Sequence, residues 1–322
     1  MRVVPRFRAA VAAIACSCWG LLGFQALAQE PPAGSFQDEV SVGLVLVPVV
    51  VRSGGGYAKN LDQDDFRLIV DGKPAVIESF ERRSDAPASI VVLQDVSGSM
   101  EGEKIALSRQ AVRFFLEKAL AGDEFAISTF AGEMFQVDVP FTANLNVVRE
   151  AVTGWKAYGT TALHDAVARM PQISLEGRNP KRFALLITDG VDNASRLTPE
   201  QARVIVQEAQ LPTYVLGLGS GNPYELSERG EKIYRYADVL SLLAAVTGGR
   251  YYSIQTPEQL QEALTAILDD VRHQYVLGFS TGDGAVKFRR LAVEVKGKDR
   301  GQTVVFRRGY KGTPPVATRA GG

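Results

Sequence analysis

The chain has 322 residues, with 36 Lys plus Arg balanced by 36 Asp plus Glu, two cysteines and two histidines. That balance leaves no basic footprint for nucleic acid. His164 and His273 stand far apart with no second ligand at metal spacing, which argues against a zinc site.

Arg2, Arg6 and Arg8 precede an apolar run from Ala9 to about Leu27 that closes with Ala26-Leu27-Ala28. This is the layout of a secretory signal peptide over residues 1–28, so the expected location is periplasmic or secreted. Left uncleaved, the same run approaches the ~20 residues that span a bilayer and would anchor the chain in a membrane instead. A lipoprotein processed at Cys16 is the weakest alternative, because the apolar stretch ahead of that cysteine is very short. Both cysteines, Cys16 and Cys18, lie in this segment. Its removal would leave neither thiol nor disulfide, excluding cysteine catalysis and thiolate metal sites. It would also take three arginines and no acid, leaving a slightly acidic remainder.

Residues 29–38 read as a linker containing Pro, Gly and Ser. In the segment 39–88, Val40 to Val51, Asp65 to Val70 and Ala75 to Phe80 read as strands, the last two joined by the hairpin signal Asp71-Gly72. Val40 to Val51 is valine-rich but short and interrupted by Pro48, so it reads as a strand rather than a membrane span.

From Ser89 the pattern changes to apolar strands alternating with amphipathic helices, the mark of a parallel sheet covered on both faces. Strands are expected at Ile90 to Gln94, Phe125 to Phe130, Gln136 to Val139, Phe183 to Thr188, Thr213 to Gly217 and Arg250 to Ile254. The second and third are too close for a crossover helix and should form an antiparallel hairpin at a sheet edge. Helices are expected at Glu103 to Ala119, Leu145 to Trp155, Leu163 to Met170, Pro199 to Glu208 and Pro257 to His273. The last two open on Thr198-Pro199-Glu200 and Thr256-Pro257-Glu258, each a capping threonine, a proline and a first-turn acid. The fold class is therefore α/β, a doubly wound, mostly parallel six-stranded sheet over residues 89–273, with flanking β-sandwich-like elements.

Tyr275 to Ser280, Phe288 to Val295 and Thr303 to Tyr310 read as strands again, with Gly282-Asp283-Gly284 as a turn. This segment, 274–311, either shares one sandwich with 39–88 or forms a separate appendage. Arg289, Arg290, Arg307 and Arg308 make either a basic patch or arginines that face solvent or bridge acids. The Pro/Ala/Gly-rich tail 312–322 reads as disordered.

The chemistry concentrates where strands end. Asp95-Val96-Ser97-Gly98-Ser99 follows the first strand of the α/β region, and Asp189-Gly190-Val191-Asp192 follows the fourth. Between them runs Gly159-Thr160-Thr161-Ala162-Leu163. In open α/β sheets, ligands bind outside the carboxyl ends of the strands. These loops offer only carboxylates and hydroxyls, hard donors that suit Mg²⁺, which keeps several waters in an octahedral shell at roughly 2.0 to 2.1 Å.

The run DVSGS resembles the DxSxS metal-ion-dependent adhesion motif of von Willebrand factor A domains, and Thr161 and Asp189 match that motif's later threonine and aspartate. The resemblance covers about Ser89 to His273. It implies strand order 3-2-1-4-5-6 with a short antiparallel third strand. It also implies a metal site of Asp95, Ser97, Ser99, Thr161 and Asp189, with Ser97 and Ser99 as direct ligands. The other three would act directly or through water. Mg²⁺ is the implied ion, with Mn²⁺ as the alternative, and a partner protein's Asp or Glu carboxylate completes the shell. In some members the last helix moves to switch affinity. The flanks, DFRLIVDGKPAVIESF early and YVLGF with RRGY late, are similar to the VWFA-related domain proteins common in Acidobacteria.

Three competing readings stand beside this one. Thr160 is an alternative ligand to Thr161, and Asp192 reads as a turn or supporting acid. His164 with Ser97 or Ser99 and Asp189 would make a serine hydrolase, but no G-x-S-x-G elbow is present. A scaffold whose metal only stabilises loops is the remaining reading. No Gly-rich phosphate loop with a lysine occurs, which argues against nucleotide. The segment Tyr224 to Tyr236 reads as a rim element or a solvated insertion.

Overall fold

Strands buried on both faces read as near-continuous apolar runs, and β6 (Ala88–Asp95), apolar from Ile90 to Leu93, is buried along its whole length. In the computed structural model, Ile90 and Val92 face one core while Val91 and Leu93 face another. The structure describes residues 44–53, 56–82, 84–208, 211–220, 235–280, 287–297 and 302–311. The leader, the linker, most of Tyr224 to Tyr236, the Gly282-Asp283-Gly284 turn and the tail lie outside the described residues.

Ahead of β6 come β1 (Leu44–Ser53), β2 (Gly56–Tyr57), β3 (Phe66–Val70), β4 (Lys73–Ala75) and β5 (Ser79–Glu81). After β6 follow α1 (Glu103–Glu117), β7 (Glu124–Ala131), β8 (Met134–Thr142), α2 (Leu145–Thr153), α3 (Leu163–Val167), α4 (Met170–Ser174) and β9 (Lys181–Thr188). The α/β part ends with α5 (Pro199–Glu208), β10 (Thr213–Leu218), α6 (Arg235–Thr247), β11 (Tyr251–Ile254) and α7 (Pro257–Arg272). The chain then returns through β12 (Tyr275–Ser280), β13 (Phe288–Val295), β14 (Thr303–Phe306) and β15 (Gly309–Lys311).

The α/β sheet has order β11-β10-β9-β6-β7-β8, parallel throughout except for the antiparallel β7–β8 hairpin at one edge. Numbered within this region the order is 6-5-4-1-2-3, as the sequence resemblance implied; the third strand, at nine residues, is longer than expected. Helices α1, α2 and α7 cover one face, and α3 to α6 cover the other. The strands β6 and β9 are neighbours, and the chain leaves the end of β6 toward β7 on its far side. Their carboxyl ends therefore flank a topological switch point, where a crevice opens.

Two expected helices differ. Leu163 to Met170 is two short helices, α3 and α4, because Pro171 carries no amide to continue the ladder and sits in the first turn of α4. Helix α6 was not anticipated. Its buried Ala237, Leu240, Leu243 and Ala244 have helical spacing, and Gly248 at φ +83° ends it, its amide and that of Gly249 bonding back to Ala245 and Ala244.

The outer strands form two antiparallel sheets, β14-β1-β12-β5 with β2 on β1, and β15-β13-β3-β4. Each mixes strands from both sides of the α/β region. Alternate residues Val45, Val47, Val49 and Val51 of β1 and Leu291, Val293 and Val295 of β13 meet in one core. Asp71 and Gly72, both at positive φ, make the β3–β4 turn. The strand read as Ala75 to Phe80 divides into β4 and β5, which pair in different sheets, and Thr303 to Tyr310 divides likewise into β14 and β15.

The four C-terminal arginines do not make a basic patch. Arg307 is buried, gives Nη2 to the Leu46 carbonyl at 2.9 Å and lies over the Tyr310 ring. Arg289 pairs with Asp71 at 3.3 Å, and the Arg290 amide bonds the same carboxylate. At the seam with the α/β part, buried Asp270 on α7 receives Arg52 at 2.5 and 2.6 Å and the Tyr57 hydroxyl at 2.7 Å.

Candidate functional site

Asp95 is the last residue of β6 and is fully buried, as are Ser97, Thr161 and Asp189, at 1 %, 2 % and 4 % exposure. Ser99, two residues after Ser97, is exposed. Four buried polar residues thus lie in the loops at the carboxyl ends of these strands, with the Ser99 hydroxyl at the surface.

Three loops hold this arrangement, and each is hydrogen-bonded to the other two. The Gly98 amide donates to the Gly159 carbonyl at 3.0 Å, and the Tyr158 amide donates to the Val96 carbonyl at 2.8 Å. A Cβ on Gly98 would stand 3.3 Å from that Gly159 oxygen, so close approach of two backbones, rather than an unusual φ, calls for glycine here. The Thr161 amide bonds Asn193 Oδ1 at 2.8 Å, and its carbonyl accepts from the Asn193 and Ala194 amides. The Thr188 hydroxyl donates to Asp95 Oδ2 at 2.6 Å, joining the ends of β6 and β9.

Within the first loop, Asp95 Oδ1 accepts the Ser97 amide at 2.9 Å, and the Ser97 and Ser99 hydroxyls lie 3.2 Å apart. Burial pushes the Asp95 carboxyl up to about 6, with the nearby Asp189 charge adding to the effect and the Thr188 and Ser97 hydrogen bonds opposing it. Asp189 Oδ1 accepts the Val191 amide at 3.3 Å, its Oδ2 lies 2.8 Å from Lys104 Nζ, and its carbonyl takes the Ser220 hydroxyl at 2.6 Å.

The adjacent threonines behave differently. Thr161 is buried, whereas Thr160 is exposed with its Oγ1 against Gly132 in the β7–β8 turn. Asp192 braces the neighbouring helix. Its Oδ2 accepts the His164 amide at 3.0 Å and the Ser195 hydroxyl at 2.5 Å, and faces His164 Nδ1 at 3.1 Å. Among the described residues no hydrogen bond joins His164 to Ser97 or Ser99, and its Nδ1 faces Asp192.

Two carboxylates and three hydroxyls, with no thiolate or imidazole, form a donor set for a hard cation. Among the described residues no group of three His, Cys, Asp or Glu side chains could hold a metal, so any ion held here depends on the hydroxyls. At the rim stand exposed Tyr158 and Met134, whose hydroxyl and sulfur are 3.5 Å apart. Sequence reasoning missed Lys104, Thr188, Asn193 and Ser220. Thr188 directly precedes Asp189 and was within reach of a motif reading, whereas the other three are known only from their contacts.

Residues 90–191 match the model of the von Willebrand factor type A domain. The chain is 30 % identical over 157 residues to human inter-alpha-trypsin inhibitor heavy chain H4, covering 44 % of this chain and 17 % of that protein. It is 27 % identical over 230 residues to bovine inter-alpha-trypsin inhibitor heavy chain H3, covering 65 % and 26 %. The chain thus spans about a quarter or less of the length of these relatives. Among solved structures, the von Willebrand factor type A protein from Catenulispora acidiphila aligns over 88 % of this chain and 76 % of its own, at 14 % identity and a TM-score of 0.48. Over residues 90–191 the α/β region is therefore similar to the von Willebrand factor type A domain. Among the described residues no helix is long and apolar enough to cross a membrane.

Proposed function

We propose that this is an exported, metal-dependent protein-binding module rather than an enzyme. Asp95, Ser97, Ser99, Thr161 and Asp189 hold Mg²⁺ or Mn²⁺, and a partner's Asp or Glu side chain completes the shell. The observation that carries this reading is the convergence of three mutually bonded loops on a buried cluster of oxygen donors with one hydroxyl, Ser99, at the surface. A buried carboxylate pair is costly without cationic charge. A divalent ion supplies that charge and, bound mostly by neutral hydroxyls, keeps enough of its own to attract an anion. Of the two threonines, the buried Thr161 is favoured, since the Thr160 hydroxyl lies against Gly132. A serine hydrolase is disfavoured because, among the described residues, no hydrogen bond joins His164 to Ser97 or Ser99. Export, to the periplasm or beyond the cell, rests on the leader sequence.

Acetate serves as the minimal partner carboxylate. Titrated onto the Mn²⁺-loaded protein, its protons should show paramagnetic relaxation above the free-Mn²⁺ level, an excess that Asp95→Ala removes. A loaded protein that leaves acetate relaxation at the free-Mn²⁺ level would sink the carboxylate-capture reading.

A further inference from the structure

Lys104 stands in the first turn of α1, yet its side chain crosses to the end of β9. Its Nζ lies 2.8 Å from Asp189 Oδ2, and its Cε would be 3.5 Å from a Cβ on Gly219, at the end of β10. The lysine side chain is 34 % exposed and that of Asp189 4 %, so the ammonium sits at the solvent edge and the carboxylate inside. Asp95, the other carboxylate, is held by Ser97 and Thr188. Among the described residues no cationic side chain forms an ion pair with it.

The charges can be counted from these contacts. Two carboxylates and one ammonium leave the cluster at −1, so a divalent ion brings it to +1. Without Lys104 the loaded cluster would be neutral. We infer that Lys104 is a built-in counter-charge that cancels Asp189, weakening the hold on a divalent cation while leaving the loaded site net positive and selective for an anionic ligand. The inference rests on the metal-binding reading above. A lysine suits the role because it is a point charge on a flexible stem, and any long cation reaching Asp189 would serve. A unit charge a few ångströms from a divalent ion at a partly hydrated surface changes its affinity by about tenfold, and salt reduces the effect.

The test compares purified wild type with Lys104→Met, which keeps the stem without the charge, and with Lys104→Arg, which keeps the charge. Mg²⁺ and Mn²⁺ are titrated alone by calorimetry, and acetate is then titrated onto the Mn²⁺-loaded proteins. Circular dichroism checks that each variant is folded. Lys104→Met should bind Mg²⁺ about tenfold more tightly and acetate more weakly, with the gap narrowing as NaCl is added. Lys104→Arg should follow the wild type. Equal or weaker Mg²⁺ binding by a folded Lys104→Met, beside a wild type that binds, would overturn the counter-charge and leave the metal reading standing. Binding by neither protein would overturn both.

Discussion

The Thr188 hydroxyl donates to Asp95 Oδ2 at 2.6 Å across 93 residues of sequence, tying the ends of two neighbouring strands at one carboxylate. That bond orients Asp95 but does not offset its burial, which still pushes the carboxyl up to about 6. An aspartate whose folded-state value lies above its unfolded one gains stability as the pH falls and loses it as the pH rises through the folded value. Metal-free protein is therefore weakened by its own site at neutral pH.

Asp95→Asn should accordingly stabilise the metal-free protein at neutral pH by about 3 kcal/mol. Urea unfolding in EDTA measures this. The gap should close as the pH falls below about 3.8, where the wild-type carboxyl becomes protonated in both states. An asparagine variant less stable than wild type at every pH would contradict the burial argument.

Thr188→Val removes the hydroxyl while keeping the shape of the side chain. With Asp95 less well oriented, Mg²⁺ affinity should fall by about tenfold, the scale measured when partners of metal ligands are removed. Calorimetry on a variant with unchanged circular dichroism reads this directly, and unaltered affinity would remove Thr188 from the account.

At the opposite end of the sheet, Glu124 is buried on β7. Burial opposes its ionisation, but the Ser89 hydroxyl at 2.6 Å and the Arg178 amide and guanidinium at 2.6 and 2.9 Å outweigh it and hold the carboxyl below its ordinary value. Its stabilisation is present above the unfolded value of about 4.5 and is lost as the pH falls through the folded one. Glu124→Gln should therefore be less stable than wild type at neutral pH and show a shallower loss below pH 4.5. Parallel acid-unfolding curves for the two proteins would count against this assignment.

The seam between the sandwich and α7 depends on Asp270. Arg52→Met would leave that buried carboxylate with only the Tyr57 hydroxyl, at a cost of about 3 kcal/mol, whereas Arg52→Met with Asp270→Leu should recover part of it. Chemical denaturation of these two proteins and of Asp270→Leu alone checks the pair. A double variant as damaged as the sum of its singles would show the two residues act independently.

Much of this architecture was legible because it follows from local pattern. Strands β6 and β9 are apolar at successive positions, and the Asp95–Ser99 motif and Asp189 stand immediately after them, so sequence alone put them at one end of the sheet. The β7–β8 hairpin followed from a spacing too short for a crossover. What escaped depends on contacts between distant residues. Lys104 meets Asp189 across 85 residues, and nothing in its neighbourhood distinguishes it from an ordinary first-turn lysine. Arg307 looked like a surface charge beside Arg308, yet pairing of β14 with β1 buries it. Helix α6 and the break at Pro171 are different: the apolar spacing before Gly248-Gly249 and the proline itself were visible signals.

The most direct test of the metal site is calorimetric titration of Mg²⁺ into purified protein, beside Asp95→Ala and a Ser97→Ala/Ser99→Ala double variant shown to be folded. Saturable binding by wild type that both variants lose is the expected result. Equal binding in all three proteins, or none in the wild type, would contradict the claim that these loops form a metal site.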